Sequence, residues 1–221
     1  MNTRPIAAQK GFTVSLHGET ISDPWHWLRD PGYPDVKDAE ILDYLNAEND
    51  WFEEFMAPHR GQIDDIFEEI KGRIKEDDAS VPARDGNYDY FWRFETGAQY
   101  RQWYRTPANG GAEQCFLDES ARATGEYYKC RAYDISDNEK MLAWSEDTDG
   151  SERFNICIGA IGEEPQISIA NTSGVPIWVG NDAVLYVELN ENLRPYRVRL
   201  HRLGSTSDDP ILYEEQDDSF F

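Results

Sequence analysis

The sequence predicts a mostly β chain with an N-terminal α-helical segment, the β part being an incomplete β-propeller of about two to three blades. Three observations predict it. The first is an internal repeat. Stepping forward by 42 residues from the stretch Met141–Gly162 places Trp144 on Tyr186, Phe154 on Tyr196, Ile156 on Val198, Ile158 on Leu200, Ile161 on Leu203 and Gly162 on Gly204. A period of this size, built from alternating apolar residues, is one four-stranded blade. The second is a pair of consecutive stretches with helical apolar spacing. The third is a change of period, from helical to alternating, around residues 75–86.

Residues 1–35 read as extended and turn-rich, with Asp23-Pro24 and Asp30-Pro31-Gly32 as punctuation. Trp25-His26-Trp27-Leu28 lies between them as an apolar anchor that must dock on something, since exposed tryptophan pairs are costly. Residues 36–56 read as a helix with Ile41, Leu45, Phe52 and Phe55 on one face. Pro58 breaks it, and a second helix is predicted from about His59 to Lys75 on Ile63, Ile66, Phe67, Ile70 and Ile74. Both stripes must be buried, against each other or against a further domain. Glu76-Asp77-Asp78, the extended Val81-Pro82 and the hairpin signal Asp85-Gly86 mark the boundary. This gives an N-terminal segment over 1–76 and propeller blades over 77–221.

Strands are predicted over 88–95, 100–106, 115–118, 129–135, 141–146, 153–158, 166–170, 183–189, 196–203 and 210–214, separated by polar turns such as Asp147-Thr148-Asp149-Gly150. The hairpin Tyr88–Thr106 is a shorter relative of the two register-matched ones. The chain ends on Phe220-Phe221, without a polar tail.

Composition limits the functions. Hydrophobic residues make up 39%, enough for a core, so wholesale disorder is excluded. The net charge of −22 disfavours nucleic acid, because such a surface repels phosphate backbones. No apolar run reaches membrane-spanning length, and residues 1–10 lack the apolar stretch of a signal peptide, so a cytoplasmic location is expected. Cys115, Cys130 and Cys157 are widely spaced, without a metal or redox pattern, and Cys115 and Cys157, in strand-like runs, are expected to be buried small apolar residues; His17, His26, His59 and His201 are scattered, without ligand spacing.

No Gly-x-Ser-x-Gly elbow, phosphate-binding loop or dinucleotide pattern is present. Ser151 belongs to a hairpin turn. The acid pairs Asp77/Asp78 and Asp217/Asp218, and the recurring Asp147, Asp149, Glu191 and Asn192, are explained by turn preference rather than chemistry. No catalytic, cofactor-binding or metal-ligating residue is assigned.

Asp23-Pro24-Trp25-His26-Trp27-Leu28 resembles the Asp-Pro-Tyr-x-Trp-Leu opening of the prolyl oligopeptidase family of serine peptidases. Gly72–Pro82 resembles the junction between that family's N-terminal segment and its propeller. Asn192–Val198, with His201–Gly204 and Leu212–Glu215, is most similar to the oligopeptidase B branch. The resemblance runs in order from about Gly18 to Phe221. It implies a seven-bladed propeller covering an α/β-hydrolase domain that carries a Ser-Asp-His triad, with the N-terminal segment packed on that domain. It also implies hydrolysis of short peptides after Lys or Arg. The remaining blades, the hydrolase domain and the triad have no counterpart in these 221 residues, so the chain alone is expected to be inactive and prone to associate through open sheet edges. Its partners are then short peptide substrates in the full-length enzyme, and a hydrolase domain or complementing chain. The alternative is a non-catalytic, propeller-like binding module that oligomerises or pairs with another chain.

Overall fold

The computed structural model describes residues 3–217, 219 and 220. It divides into two units, Met1–Ile74 and Lys75–Phe221.

The first unit opens with a hairpin that the sequence reading treated only as extended chain. Strands β1 (Thr13–Leu16) and β2 (Glu19–Ser22) pair through the two-residue turn His17-Gly18, both at positive φ. That conformation matches the twist of the flanking strands. Trp27, in a 3-10 turn, docks inside its own unit. Its Nε1 donates to the Ala8 carbonyl at 2.7 Å, Tyr44 meets its ring edge-on and the Lys10 ammonium lies 4.5 Å over it. Trp25 stays half exposed. Asp30 ties the next loop by accepting from the N–H groups of Gly32, Lys37 and Asp38. These bonds hold its carboxyl below the usual range, with Asp38 the largest contributor.

Helix α1 (Ala39–Met56) is capped by Asp38, whose side chain accepts from Glu40 N. A 3-10 turn holding Pro58 joins it to α2 (Arg60–Lys71). The predicted second helix runs four residues too far. After Gly72 the N–H groups of Arg73 and Ile74 bond three residues back, which tightens and ends the helix. The helices do not pack along one another, so that half of the expectation fails. Of the apolar stripes only Ile41 is buried; Leu45, Phe52, Phe55, Ile63, Ile66, Phe67 and Ile70 are exposed.

The second unit holds a four-stranded antiparallel sheet and an eight-stranded one, the latter made of two four-stranded meanders joined at the single pair Thr172 and Glu188. Blade 1 is β3 (Ala83–Asp85), β4 (Tyr88–Arg93), β5 (Gln102–Pro107) and β6 (Gln114–Asp118), followed at once by the one-turn helix α3 (Glu119–Arg122). Blade 2 is β7 (Tyr133–Ile135), β8 (Met141–Glu146), β9 (Phe154–Ala160) and β10 (Ile167–Thr172). Blade 3 is β11 (Ile177–Val179), β12 (Ala183–Leu189), β13 (Pro195–Arg202) and β14 (Ile211–Glu214). The strand predicted over 129–135 forms only its last three residues as ladder. Upstream, Ser145 Oγ accepts from Arg131 N and Ala132 N, and Lys129 pairs with Asp147 as a single bridge.

The 42-residue repeat is reproduced in the pairing itself. Met141 faces Ala160 and Trp144 faces Cys157; in the next blade Ala183 faces Arg202 and Tyr186 faces Arg199. Directly opposed residues share a face, so each blade has two unlike sides. Leu142, Trp144 and Cys157 point back to Phe116 and Leu117 of blade 1. Ala143, Ile156 and Ile158 point forward to Trp178, Val184 and Tyr186 of blade 3. The forward side of blade 3 carries the repeat partners Leu185, Val198 and Leu200. Alongside them Ile177, Val179 and Tyr213 are exposed.

Polar bonds pin the first turns of successive blades. Glu139 accepts from Asn87 N at 2.6 Å and Asn87 Nδ2 at 2.9 Å, while Asn138 N donates to Asn181 Oδ1 at 2.7 Å. Asp134 of β7 accepts from Trp178 N of β11 at 2.7 Å. At the end of β10 the chain turns through Gly174 at φ +81°, and an added Cβ there would lie 2.6 Å from the Phe154 ring. Gly174→Ala should therefore cost about 2–5 kcal/mol in a urea titration. Gly180→Ala, also at positive φ but facing open space, should cost only about 1 kcal/mol. Equal costs at the two sites would contradict the packing described.

Candidate functional site

The chemistry-bearing side chains converge where blade 1 meets blade 2. Asp118 ends β6 and caps α3, its carboxylate accepting from Ala121 N at 2.9 Å. That single turn aims two charges into the interface. Arg122 forms a two-pronged ion pair with Glu146, the last residue of β8. Glu146 also accepts from Trp144 Nε1 at 2.8 Å and from Tyr128 OH at 3.3 Å, with Cys157 Sγ at 3.7 Å. Burial works to raise the Glu146 carboxyl, but Arg122 and Trp144 outweigh it and hold it below the ordinary value. Burial and the nearby Glu146 push the Cys157 thiol up to about 12, so Cys157 is an inert, buried thiol, whereas Cys115, also expected to be buried, is exposed because it lies near the start of the edge strand β6.

Glu119 is the other charge. It is 8% exposed, and one carboxylate oxygen takes a hydrogen bond from Trp103 Nε1 at 2.6 Å. Burial raises its carboxyl, opposed by Trp103 and Arg101. It floors a cleft of about 470 Å3 between the two blades.

The turn residues singled out in the sequence act as turn builders. Asp147, fully buried, accepts from the N–H groups of Asp149, Gly150 and Glu152. Asn190 repeats the role one blade later for Asn192 and Arg194. Ser151 donates its N–H to Asp149. Glu191 and Asn192 are exposed in the blade 3 turn, where the Glu191 carbonyl accepts from Arg153. Asp77 and Asp78 are exposed, and the Asp78 carbonyl takes the Phe94 N–H. Asp217 accepts from Ser219; Asp218 and Phe221 lie outside the described residues.

One arrangement has the look of a catalytic relay. His201 Nδ1 meets Asp209 at 2.9 Å, and Tyr186 OH donates to the same carboxylate at 2.9 Å. A nucleophile would have to sit on the far nitrogen. Among the described residues the buried His201 Nε2 has no hydrogen-bond partner, so the geometry is a packed contact between two strands and a loop with no nucleophile on it. Among the described residues no metal-ligating cluster of three converges, and no helix is long and apolar enough to cross a membrane.

Sequence reasoning missed Arg122, Glu146, Glu119 and Trp103. Trp103 and Glu119 are 16 residues apart across two strands of blade 1, and Arg122 and Glu146 are 24 apart across the boundary to blade 2. The available signal was the same-face spacing of Trp144 and Glu146 within one strand, with Asp118 as a cap.

Residues 5–221 match the model of the prolyl oligopeptidase N-terminal β-propeller domain. The chain belongs to the prolyl oligopeptidase family. That family is one of serine peptidases. Dipeptidyl aminopeptidase BI of Pseudoxanthomonas mexicana is 34% identical over 99% of the chain, which covers 33% of that relative. Protease 2 of Moraxella lacunata is 29% identical over 98% of the chain, covering 32% of its length. The structure of oligopeptidase B from Leishmania major superimposes with a TM-score of 0.84 at 27% identity, over 97% of this chain and 33% of that one. The chain thus spans about a third of the length of the curated relatives it matches. It covers their propeller region, and peptidase activity is not attributed to these 221 residues.

The inter-blade ion pair carries a pH signature. A carboxyl held below its ordinary value contributes stability above that value and loses it as pH falls through the folded one. Urea midpoints should therefore drop between about pH 5 and pH 3. Glu146→Gln, which among the described residues leaves the Arg122 charge with only the exposed Glu164, should cost about 2–3 kcal/mol at pH 7 and flatten that drop. A variant with unchanged acid sensitivity would assign the drop to other carboxylates.

Proposed function

We propose that the chain is the N-terminal part of an oligopeptidase B-like serine peptidase that acts in the cytoplasm and hydrolyses short peptides after Lys or Arg. In this reading the three blades form part of a substrate-gating propeller. The exposed stripe of α1 and α2 packs on a hydrolase domain that carries the triad. A serine there attacks the peptide carbonyl, histidine takes its proton and aspartate orients the ring.

The observation that carries the reading is the forward side of blade 3. Leu185, Val198 and Leu200 repeat the residues by which blade 2 receives blade 3, and Ile177, Val179 and Tyr213 beside them stay exposed. A face of this chemistry calls for a further blade. The likeness to oligopeptidase B and Protease 2 supports the peptidase assignment and the branch. The same face also supports the second reading, a module completed by another chain.

The test is the full-length gene product against three anilides: a blocked Arg, a blocked Pro and an unblocked dipeptide. We expect kcat/KM for the Arg substrate to exceed the other two by about 100-fold or more, and the 221-residue chain to have no activity. Preference for Pro, or release of N-terminal dipeptides, would move the protein to another branch. A natural product no longer than 221 residues would favour the binding module. The net charge of −22 adds a kinetic expectation for the full-length enzyme. Capture of tricationic peptides should slow several-fold as the Debye length is cut from about 30 Å to about 8 Å, and salt-independent capture would remove the steering role.

A further inference from the structure

The cleft between blades 1 and 2 has no part in the reading above. Its walls are the rings of Phe94, Tyr100, Trp103 and Tyr133, its floor is Glu119, and Arg101 and Arg131 stand at its edge. The walls are held from behind. Trp103 meets Tyr133 edge-on at 4.8 Å between centroids, and Tyr100 meets Tyr128 at 5.5 Å. Arg101 lies 4.5 Å over the Trp92 ring and 5.8 Å from Phe94 and Trp103. The Arg131 backbone is fixed by Ser145 Oγ while its side chain is exposed.

The charges in this cleft are only partly used. Trp103 Nε1 satisfies one oxygen of Glu119, and among the described residues no protein donor takes the other. Neither arginine is ion-paired to a carboxylate among the described residues. Glu119 is 8% exposed, so water reaches its open oxygen only through the cleft, and a cation there replaces that partial hydration with a direct charge contact. A guanidinium pairs well with a carboxylate through parallel hydrogen bonds. Aromatic walls accept an apolar side chain and tolerate an ammonium. One acidic and two basic groups, set across a ring-walled cleft of small-ligand size, match a zwitterion.

We propose that this cleft binds short peptides by their free termini. The α-ammonium sits on the open oxygen of Glu119, the α-carboxylate faces Arg101 and Arg131, and an apolar side chain lies against Trp103 and Tyr133. The site is built from residues of blades 1 and 2 alone, so its test does not depend on the peptidase reading.

The experiment is calorimetric titration of the 221-residue chain, folded by near-UV circular dichroism, with the dipeptide Ala-Phe. Saturable binding with Kd on the order of 1 mM or tighter is expected. N-acetyl-Ala-Phe and Ala-Phe-amide should each bind about tenfold more weakly or worse. Glu119→Gln keeps an acceptor for Trp103 but loses the charge, and should weaken Ala-Phe by about tenfold. Arg131→Gln removes an exposed guanidinium that lies 5.8 Å over the Phe154 ring, and, with the near-UV spectrum unchanged from the parent, should weaken Ala-Phe while leaving Ala-Phe-amide unchanged. No saturable heat with the folded chain, or equal affinity for the acetylated dipeptide, would overturn the proposal.

Discussion

The β part of this protein rests on a directional contact between unlike faces. One face of a blade carries Ala143, Ile156 and Ile158; the face it meets carries Trp178, Val184 and Tyr186. Between blades 2 and 3 a small and branched side receives a bulky aromatic one, while between blades 1 and 2 Phe116 and Trp103 meet Trp144 and Tyr133. Because the two faces differ, blades stack head to tail and cannot pair off symmetrically. A stack of this kind always leaves one forward face and one backward face uncovered until it closes. The open forward side of blade 3 follows directly from that rule.

Apolar stacking sets the order of blades but does not fix their angle. Polar bonds do that, and they cluster at the boundaries. Glu139 and Asn87, Asn138 and Asn181, and Asp134 and Trp178 hold the first turns and first strands together. Arg122 and Glu146 hold the boundary of blades 1 and 2 from its other side. Each bond is directional and partly shielded from water, so the network specifies one arrangement more than it adds net stability. The same boundary holds the cleft over Glu119, so the residues that set the blade angle also set the spacing of that cleft.

The sequence was most legible where its signal was periodic. The strands over 141–146 and 183–189 were placed to the residue, because alternation and the 42-residue repeat reinforce each other there. It was least legible where strands are three residues long. Ala83–Asp85 and Ile177–Val179 are too short to show alternation, and both become strands only because a longer neighbour offers its edge. The hairpin at His17-Gly18 was missed for a different reason: its strands are almost entirely exposed, and the alternation of Val14 and Leu16 is confined to four residues with only Ile21 opposite. The helical stripes were read correctly as apolar faces, but a stripe does not name its partner. Of the two partners left open, the helices themselves or a further domain, mutual packing fails because the Pro58 turn carries α2 onward from α1 without folding it back.

By itself the sequence determined the architecture: helices first, then blades with a set repeat, and a family whose propeller region these residues cover. Periodicity and repeat length are properties of neighbouring residues, so a single chain displays them. Only the tertiary structure decided which charges meet. Glu119 reaches Trp103, and Arg122 reaches Glu146, across strand and blade boundaries. Such contacts depend on the stacking angle between blades, which is set jointly by many side chains and is written in no local pattern.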